Sequence, residues 1–334
     1  MPVCCDNLSV RLIPLPRLSN HMDTLSRLLS LFTVTTSLDT RCELASPWVL
    51  DEPAVTTPGT APFHVVVEGS ALLDTAALGE IALQAGDIVV FPGGGAHRLH
   101  AGPAQQATPV STQASDGPLQ RKANEGDGPA TGILCGSFVF DESARRAMLG
   151  ALPEVMIVHA SREADFPGLH ALVRLLQQET ADTRPGSGVV VTQLSGALFA
   201  LLMRAWLAQN ATRPGLFAVL ADRRLGNAMQ KMLESPELPW TVADLAAACF
   251  MSRATFARLF AQLSGMTPAD VLTQLRMARA ATALAHGERA VGDVALAVGY
   301  QSEAAFNRVF KRHYGMGPGG YRRAQRGQAQ PEAA

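Results

Sequence analysis

Three groups of side chains in this 334-residue chain have the types and spacing to do chemistry. In the front half His64 and Glu68 stand at i and i+4, positions that share one face of a strand, and His97 follows further on. Three such donors with a fourth position left open would suit a catalytic metal. The plainer reading makes these histidines core residues satisfied by hydrogen bonds, with no metal and no cofactor expected. The second group is sulfur: Cys4, Cys5, Cys42, Cys135 and Cys249. Five cysteines are too sparse for a disulfide scaffold, and none form the C-x-x-C pair that announces zinc, so a reduced, cytoplasmic setting is expected. The third group is Arg253, Thr255 and Arg258, then Ser302, Glu303, Asn307, Arg308 and Lys311. Arginine reads guanine and asparagine reads adenine when a helix presents them to the DNA major groove.

The bulk charge conceals that third group. Formal net charge is −1, and 17% of residues are charged, which excludes a polybasic scaffold. Split by region, residues from Ala221 onward carry 14 Lys/Arg against 9 Asp/Glu, net +5, and the remainder carries 14 against 20, net −6. An acidic front and a basic back indicate a nucleic-acid-binding domain joined to something else. Membrane insertion is not expected: the most apolar stretch, Val189 to Leu207, is interrupted by Thr192, Gln193, Ser195 and Arg204. Residues 1–22 lack a basic-then-apolar signal pattern and read as disordered or as a mis-assigned start before Asp23.

The elements that must position these groups fall into regions. Residues 23–165 read as an all-β unit after a short helix at Asp23 to Leu31, with apolar runs at Phe63–Val67, Ile81–Leu83, Ile88–Phe91 and Ile133–Phe138 broken by Gly and Pro. Residues 101–130, poor in large apolar side chains, read as a mobile insertion. At 166–210 the period turns helical: Leu169, Leu172, Val173 and Leu176 form one stripe, and Leu194, Leu198, Leu201, Leu202 and Ala205 another. Such a hairpin packs on the β unit or on a second copy, and a homodimer is one expectation. Residues 216–323 read as all-helical, and 324–334 as a disordered tail.

Within the basic segment lies a duplication. Val242, Asp244, Ala246 and Ala248 recur 49 residues on, at Val291, Asp293, Ala295 and Ala297. After one extra turn residue, Ser252, Ala254, Phe256, Arg258, Phe260, Gly265, Met266 and Pro268 recur at Ser302, Ala304, Phe306, Arg308, Phe310, Gly315, Met316 and Pro318. Each copy reads as helix, turn, helix. Thr241, Ser252 and Ser302 are capping residues, and Gly299 supplies a turn. Phe256/Phe260 and Phe306/Phe310, spaced i, i+4, turn inward and leave the Arg, Asn and Lys side chains outward. A plain solenoid with solvated charges would need more than two repeats.

Trp240 through Ala246, Met251 through Phe256, Val298 through Ser302, Phe310-Lys311-Arg312 and Gly317-Pro318 to Tyr321-Arg322 resemble the AraC/XylS-type transcription regulators. The resemblance implies two helix-turn-helix units joined by a long helix, about Pro268 to Ala285, entering successive major grooves of promoter DNA. Ala254, Ala257, Ala304 and Ala305 are small where base-reading side chains would stand, so reading rests on Arg253, Arg258, Asn307 and Arg308. In the front half Gly86, Pro92, Gly94 and His97 follow G-x5-P-x-G-x2-H, the second motif of cupin barrels, whereas Pro62 occupies the first metal histidine's place. The fold class implied is two domains: an N-terminal all-β cupin barrel with a helical hairpin, and a C-terminal all-α double helix-turn-helix. Thr40 through Leu44 and Ile133 through Phe138 are similar to the cupin subgroup of these regulators that responds to reactive chlorine. That resemblance implies redox sensing at Cys42 and Cys135, with Arg41 favouring the Cys42 thiolate. It further implies an activator, with RNA polymerase as a partner. Two alternatives stand beside it: the same regulator answering a small molecule inside the barrel, and a metal-dependent cupin enzyme built on His64, Glu68 and His97.

Overall fold

The computed structural model describes residues 23–328 except 33, 116, 150–151, 161–165, 182–183 and 211–214. Residues 1–22, with Cys4 and Cys5, and 329–334 therefore lie outside the described residues, as does the expectation of a disordered or mis-assigned start. Helix α1 (Thr24–Leu31) opens the described chain, its first turn capped by Asp23 accepting from the Ser26 amide. The strands are β1 (Val34–Ala45), β2 (Trp48–Glu52), β3 (Thr60–Glu68), β4 (Ser70–Thr75), β5 (Gly79–Gln84), β6 (Ile88–Val90), β7 (His97–Ala101), β8 (Ser111–Gln113), β9 (Gln120–Ala123), β10 (Ala130–Phe140) and β11 (Met156–Val158). They pair into a seven-stranded sheet, β11-β6-β3-β10-β1-β9-β8, and a four-stranded sheet, β2-β7-β4-β5.

Alternation along each strand divides the β domain into two faces. Cys42, Leu44, Val66 and Ile133 face inward with Trp48, Leu73, Phe91 and Leu99, and fill the space between the sheets. Phe63, Val65, Leu134 and Phe138 point to the other side of the large sheet, into a second core shared with the helices. Segment 101–130, read from its composition as a mobile insertion, instead carries β8 and β9, and β9 lies parallel to β1. Edge strand β8 is fully exposed, so it shows no apolar alternation by which a sequence reading could find it.

Helices α3 (Pro167–Ala181) and α4 (Ser187–Gln209) form the expected hairpin, packed against each other, with α4 seated on β1 and β11. Their stripes go to internal packing: Leu169, Leu172, Val173, Leu176, Leu198, Leu202 and Ala205 are buried in the core they share with the sheet. Among the described residues α4 is the one helix long and apolar enough to cross a membrane. Its outer side leaves Val189 and Val190 exposed.

Two helices tie the β domain to the basic half. Strand β10 runs into α2 (Glu142–Met148), capped by Asp141, and α1 leads into β1, whose Val34 pairs with Phe140. Both helices therefore leave the same end of one strand pair. Helix α1 packs on α6 (Gly226–Glu234) and α9 (Pro268–His286), and α2 packs on α9. Leu28 is fully buried there, Arg27 pairs with Glu234 at 3.3 Å, and the Thr282 hydroxyl donates to the Leu31 carbonyl.

The basic half comprises α5 (Leu216–Ala221), α6, α7 (Val242–Ala248), α8 (Arg253–Ser264), α9, α10 (Val291–Ala297), α11 (Glu303–Tyr314) and α12 (Pro318–Gln328). Helix α9 ends within a residue of the expected position. Its first part, with Val271, Leu272, Leu275 and Ala278, belongs to the large core shared with the β domain. Its second part, with Met277, Ala280, Ala281 and Leu284, belongs to a separate core with Phe306, Phe310 and Tyr321. Helix α12 continues to Gln328, so residues 324–328, expected in a disordered tail, are helical. The turn before the second unit's α11 contains Gly299 at φ +86°, where a Cβ would sit 2.3 Å from the Glu237 carbonyl oxygen. The first unit places Phe250 at the equivalent point, at φ +54° and 94% exposed. A bulky residue in the left-handed region costs roughly 1–2 kcal/mol. Gly299→Ala is expected to lower the unfolding free energy by about 2 kcal/mol or more, adding a backbone collision to that penalty. Phe250→Gly is expected to leave stability unchanged or raise it by up to about 1 kcal/mol, its released strain offset by a freer unfolded chain. Urea unfolding of the full chain measures both.

Candidate functional site: two outward helices and a buried sulfur pair

Helix α8 starts where the Ser252 hydroxyl accepts the Thr255 amide, and α11 where the Ser302 hydroxyl accepts the Ala305 amide. The side chains that pin each helix inward are Phe256 and Phe260, with centroids 5.6 Å apart, and Phe306 and Phe310, 5.4 Å apart. All four are completely buried. With that face fixed, the 3.6-residue period turns Arg253, Thr255 and Arg258 outward on α8, and Glu303, Arg308 and Lys311 outward on α11. Ser302 is exposed at its cap, and Asn307 is half-buried at the edge of the second core. Thr255 is engaged locally, its hydroxyl 2.9 Å from that of Ser252. The Thr241 hydroxyl and amide, with a smaller contribution from the charge of Arg253, hold the Asp244 carboxyl below its usual range. Each unit thus presents a helix with basic side chains over an inward aromatic pair, the arrangement that suits a major groove.

The second site lies on β1 and β10, between the sheets. Thr40 pairs with Cys135 and Cys42 with Ile133, so the two cysteines are diagonal cross-strand neighbours. Their sulfurs are 4.0 Å apart as free thiols. On the far side of Cys135, His64 of β3 directly pairs with it in register and places Nδ1 3.1 Å from the sulfur. His64 Nε2 is 2.7 Å from His97 Nε2, and His97 Nδ1 donates to the Gly95 carbonyl at 2.9 Å. Phe91 stacks on the His97 ring at 3.6 Å. Burial, then the charge of His97, takes His64 down to about 3. Burial also lowers His97, against its bond to Gly95. Contact with Cys42 and burial hold the Cys135 thiol well above its ordinary value. Cys42 is drawn down by that contact, against its own burial and with help from Lys122.

Three sequence expectations meet a different geometry here. Arg41 does not face Cys42: neighbours on a strand point to opposite sides, and Arg41 binds Glu43 at 2.8 Å and the Gln177 carbonyl on the helical side. The cation on the sulfur side is Lys122, which β9 sets beside Cys42 in register. It was illegible in the sequence because it lies in the segment read as an insertion. Glu68 also fails to join His64, since a bulge between β3 and β10 at Gly132/Ile133 breaks the alternation and leaves Glu68 exposed. His64 and His97 meet each other, and among the described residues no group of three His, Cys, Asp or Glu side chains could hold a metal. Cys249 packs into the large core of the first unit.

The His64 environment sets a pH dependence. Its folded value lies below the ordinary 6.5, so the unfolded chain takes up a proton that the folded chain refuses. The associated stability is complete above pH 6.5 and is lost as pH falls toward 3. By pH 5 the loss amounts to about 2 kcal/mol. Urea unfolding at pH 7 and pH 5 should show this drop, and His64→Gln should remove it.

Residues 23–208 match the family described as Cupin, and residues 245–324 the family described as Helix-turn-helix domain. Over 303 residues the chain is 35% identical to the RCS-specific HTH-type transcriptional activator RclR of Escherichia coli (strain K12), covering 90% of this chain and 97% of that relative. Over 308 residues it is 31% identical to the HTH-type transcriptional regulator MtrA of Neisseria gonorrhoeae, covering 90% and 98%. A solved structure of the DNA-binding domain of AdpA in complex with a target DNA is similar to it at 32% identity and TM-score 0.30, over 32% of this chain and 96% of that one. With a cupin domain ahead of two outward basic helices, the chain belongs to the AraC family of DNA-binding transcription regulators.

Proposed function

We propose that the protein is a transcription activator that binds promoter DNA through α8 and α11 and responds to reactive chlorine by joining Cys42 to Cys135. The observation that carries this reading is the 4.0 Å separation of two free thiols on adjacent strands inside the cupin domain. A disulfide needs the sulfurs at about 2.05 Å, and because the cysteines are diagonal neighbours, closing that gap shears β1 against β10. Those two strands end in α1 and α2, which pack on α9. Asp141 and Glu142, at the start of α2, add their charges to the burial that pushes Tyr321 of α12 up to about 12. Shear between the strands therefore moves supports that touch both helix-turn-helix units and shifts the balance toward a DNA-competent state. RNA polymerase is the further partner this reading requires, and the protein acts without enzymatic turnover.

Hypochlorous acid at stoichiometric dose should give a Cys42–Cys135 disulfide by peptide mass spectrometry and a rise in promoter-dependent transcription. Full activation of a Cys42→Ala variant would overturn the redox reading. Arg258→Ala and Arg308→Ala should each weaken promoter binding by about 1–3 kcal/mol, roughly 5- to 150-fold, in a mobility-shift titration at fixed salt. Unchanged affinity in both would remove α8 and α11 from the groove. Combining Arg27→Ala with Thr282→Ala should leave disulfide formation intact and shrink the difference in DNA affinity between the reduced and oxidised forms.

A further inference from the structure

The hydrogen bonds around Cys135 run in one direction. A carbonyl oxygen only accepts, so the bond between His97 Nδ1 and the Gly95 oxygen places the His97 proton on Nδ1. The ring is neutral, its burial disfavouring the cation, so His97 Nε2 is an acceptor. His64 Nε2, 2.7 Å away, must then carry the proton of its own ring. This leaves His64 Nδ1 as a bare lone pair 3.1 Å from the Cys135 sulfur, well inside the 4.0 Å that separates that sulfur from Cys42. The Cys135 proton goes to His64 at 3.1 Å, and this shorter bond overrides the 4.0 Å contact through which the same proton would draw Cys42 down; His64 donates to His97, and His97 donates to Gly95.

Access favours the same sulfur. A cavity of about 170 Å³ is lined by Cys135, His64, His97, Lys122, Glu52 and Pro62 among others, and Cys42 is not part of its wall. Cys42 is 1% exposed. The cavity is large enough to admit hypochlorous acid together with several waters.

We propose that Cys135 is the sulfur that meets the oxidant, that His64 is the acceptor of its thiol proton, and that His97 is a positioning residue whose bond to Gly95 fixes the His64 tautomer. This rests on the redox reading above and adds an order of events to it. As the Cys135 sulfur attacks the chlorine of hypochlorous acid, His64, which lines the cavity, keeps its Nε2 proton bonded to His97 and takes the thiol proton onto Nδ1. Hydroxide leaves the chlorine and takes up that proton as water, leaving a sulfenyl chloride on Cys135. The Cys42 sulfur then attacks Cys135, chloride departs, and the Cys42 proton is released. Two thiols and one hypochlorous acid become one disulfide, one water, one chloride and one proton; the sulfurs lose two electrons and the chlorine gains them.

Two experiments on the full-length chain test this. Two-bond ¹H–¹⁵N correlation spectra of histidine-labelled protein should place the proton on Nε2 of His64 and on Nδ1 of His97; a proton on Nδ1 of His64 would overturn the chain of donors. Substoichiometric hypochlorous acid with dimedone present, read by peptide mass spectrometry, should label Cys135 in Cys42→Ser and label Cys42 at least tenfold more slowly in Cys135→Ser. Labelling of Cys42 at an equal or greater rate would overturn the order. With methyl methanethiosulfonate as a neutral probe in the Cys42→Ser background, Cys135 should react with a shallow dependence between pH 6 and 8. Adding His64→Gln should make that dependence close to tenfold per pH unit, a change that loss of packing alone does not produce; identical profiles would remove His64 from the step. If hypochlorous acid yields no Cys42–Cys135 disulfide, the redox reading itself fails, whereas a disulfide formed with Cys42 labelled first refutes only this inference.

Discussion

The antiparallel pairing of β1 with β10 is the constraint on which the other features depend. It runs from Val34 opposite Phe140 to Ala45 opposite Ala130, with a slip between Leu38 and Thr40. A one-residue change of register would turn Cys42 out of the interior and Arg41 into it. The register is held from both faces, by Leu44 and Ile133 between the sheets and by Leu134 and Phe138 beneath the helices. The same pairing brings α1 and α2 out at one end, side by side, where both meet α9. Sulfur proximity and contact with the DNA-binding half are thus two consequences of one ladder. The slip lies between the cysteines and that end.

Helix α9 converts that contact into a relation between the two units. Its 19 residues span about 28 Å. One part is embedded in the core continuous with the cupin domain, and the other in the separate core of the second unit. Arg276 and Arg279 clamp the loop before α7 from the side, through the carbonyls of Pro236 and Leu238 and the carboxylate of Glu237. Gly299 of the second unit closes on that same loop. The first unit is an extension of the core shared with the cupin domain, while the second is joined to it by a helix and a loop contact.

Much of this was legible in the sequence where local rules suffice. The duplication, the caps at Thr241, Ser252 and Ser302, and the inward Phe pairs depend on spacings of three and four residues, and the structure places them accordingly. What escaped depends on which strand lies beside which. Lys122 reaches the sulfurs through a parallel pairing across 80 residues of chain, and no period in the sequence marks it. Arg41 misled because nearness in sequence is opposition on a strand. Glu68 misled because a bulge resets the alternation. Phe250 hid the equivalence of the two turns, since a glycine signals the left-handed conformation in one copy and an aromatic residue occupies it in the other.

Burial suits the cluster to the oxidative role proposed for it rather than to a protonic one. An imidazole in solution changes charge near neutral pH and is the usual pH switch. His64 is held at about 3 by burial, so it stays neutral across the range in which a cell's pH moves, and burial lowers His97 too. Removing them from water suppresses the charged form but leaves their hydrogen-bonding capacity intact, and in a poorly polarisable interior such bonds strengthen. With the tautomers inferred above, the result is a chain of donors and acceptors whose direction is set by one backbone carbonyl. Such a cluster fits the proposed role, in which a reagent takes electrons from the sulfur without any change in the resting charge of His64.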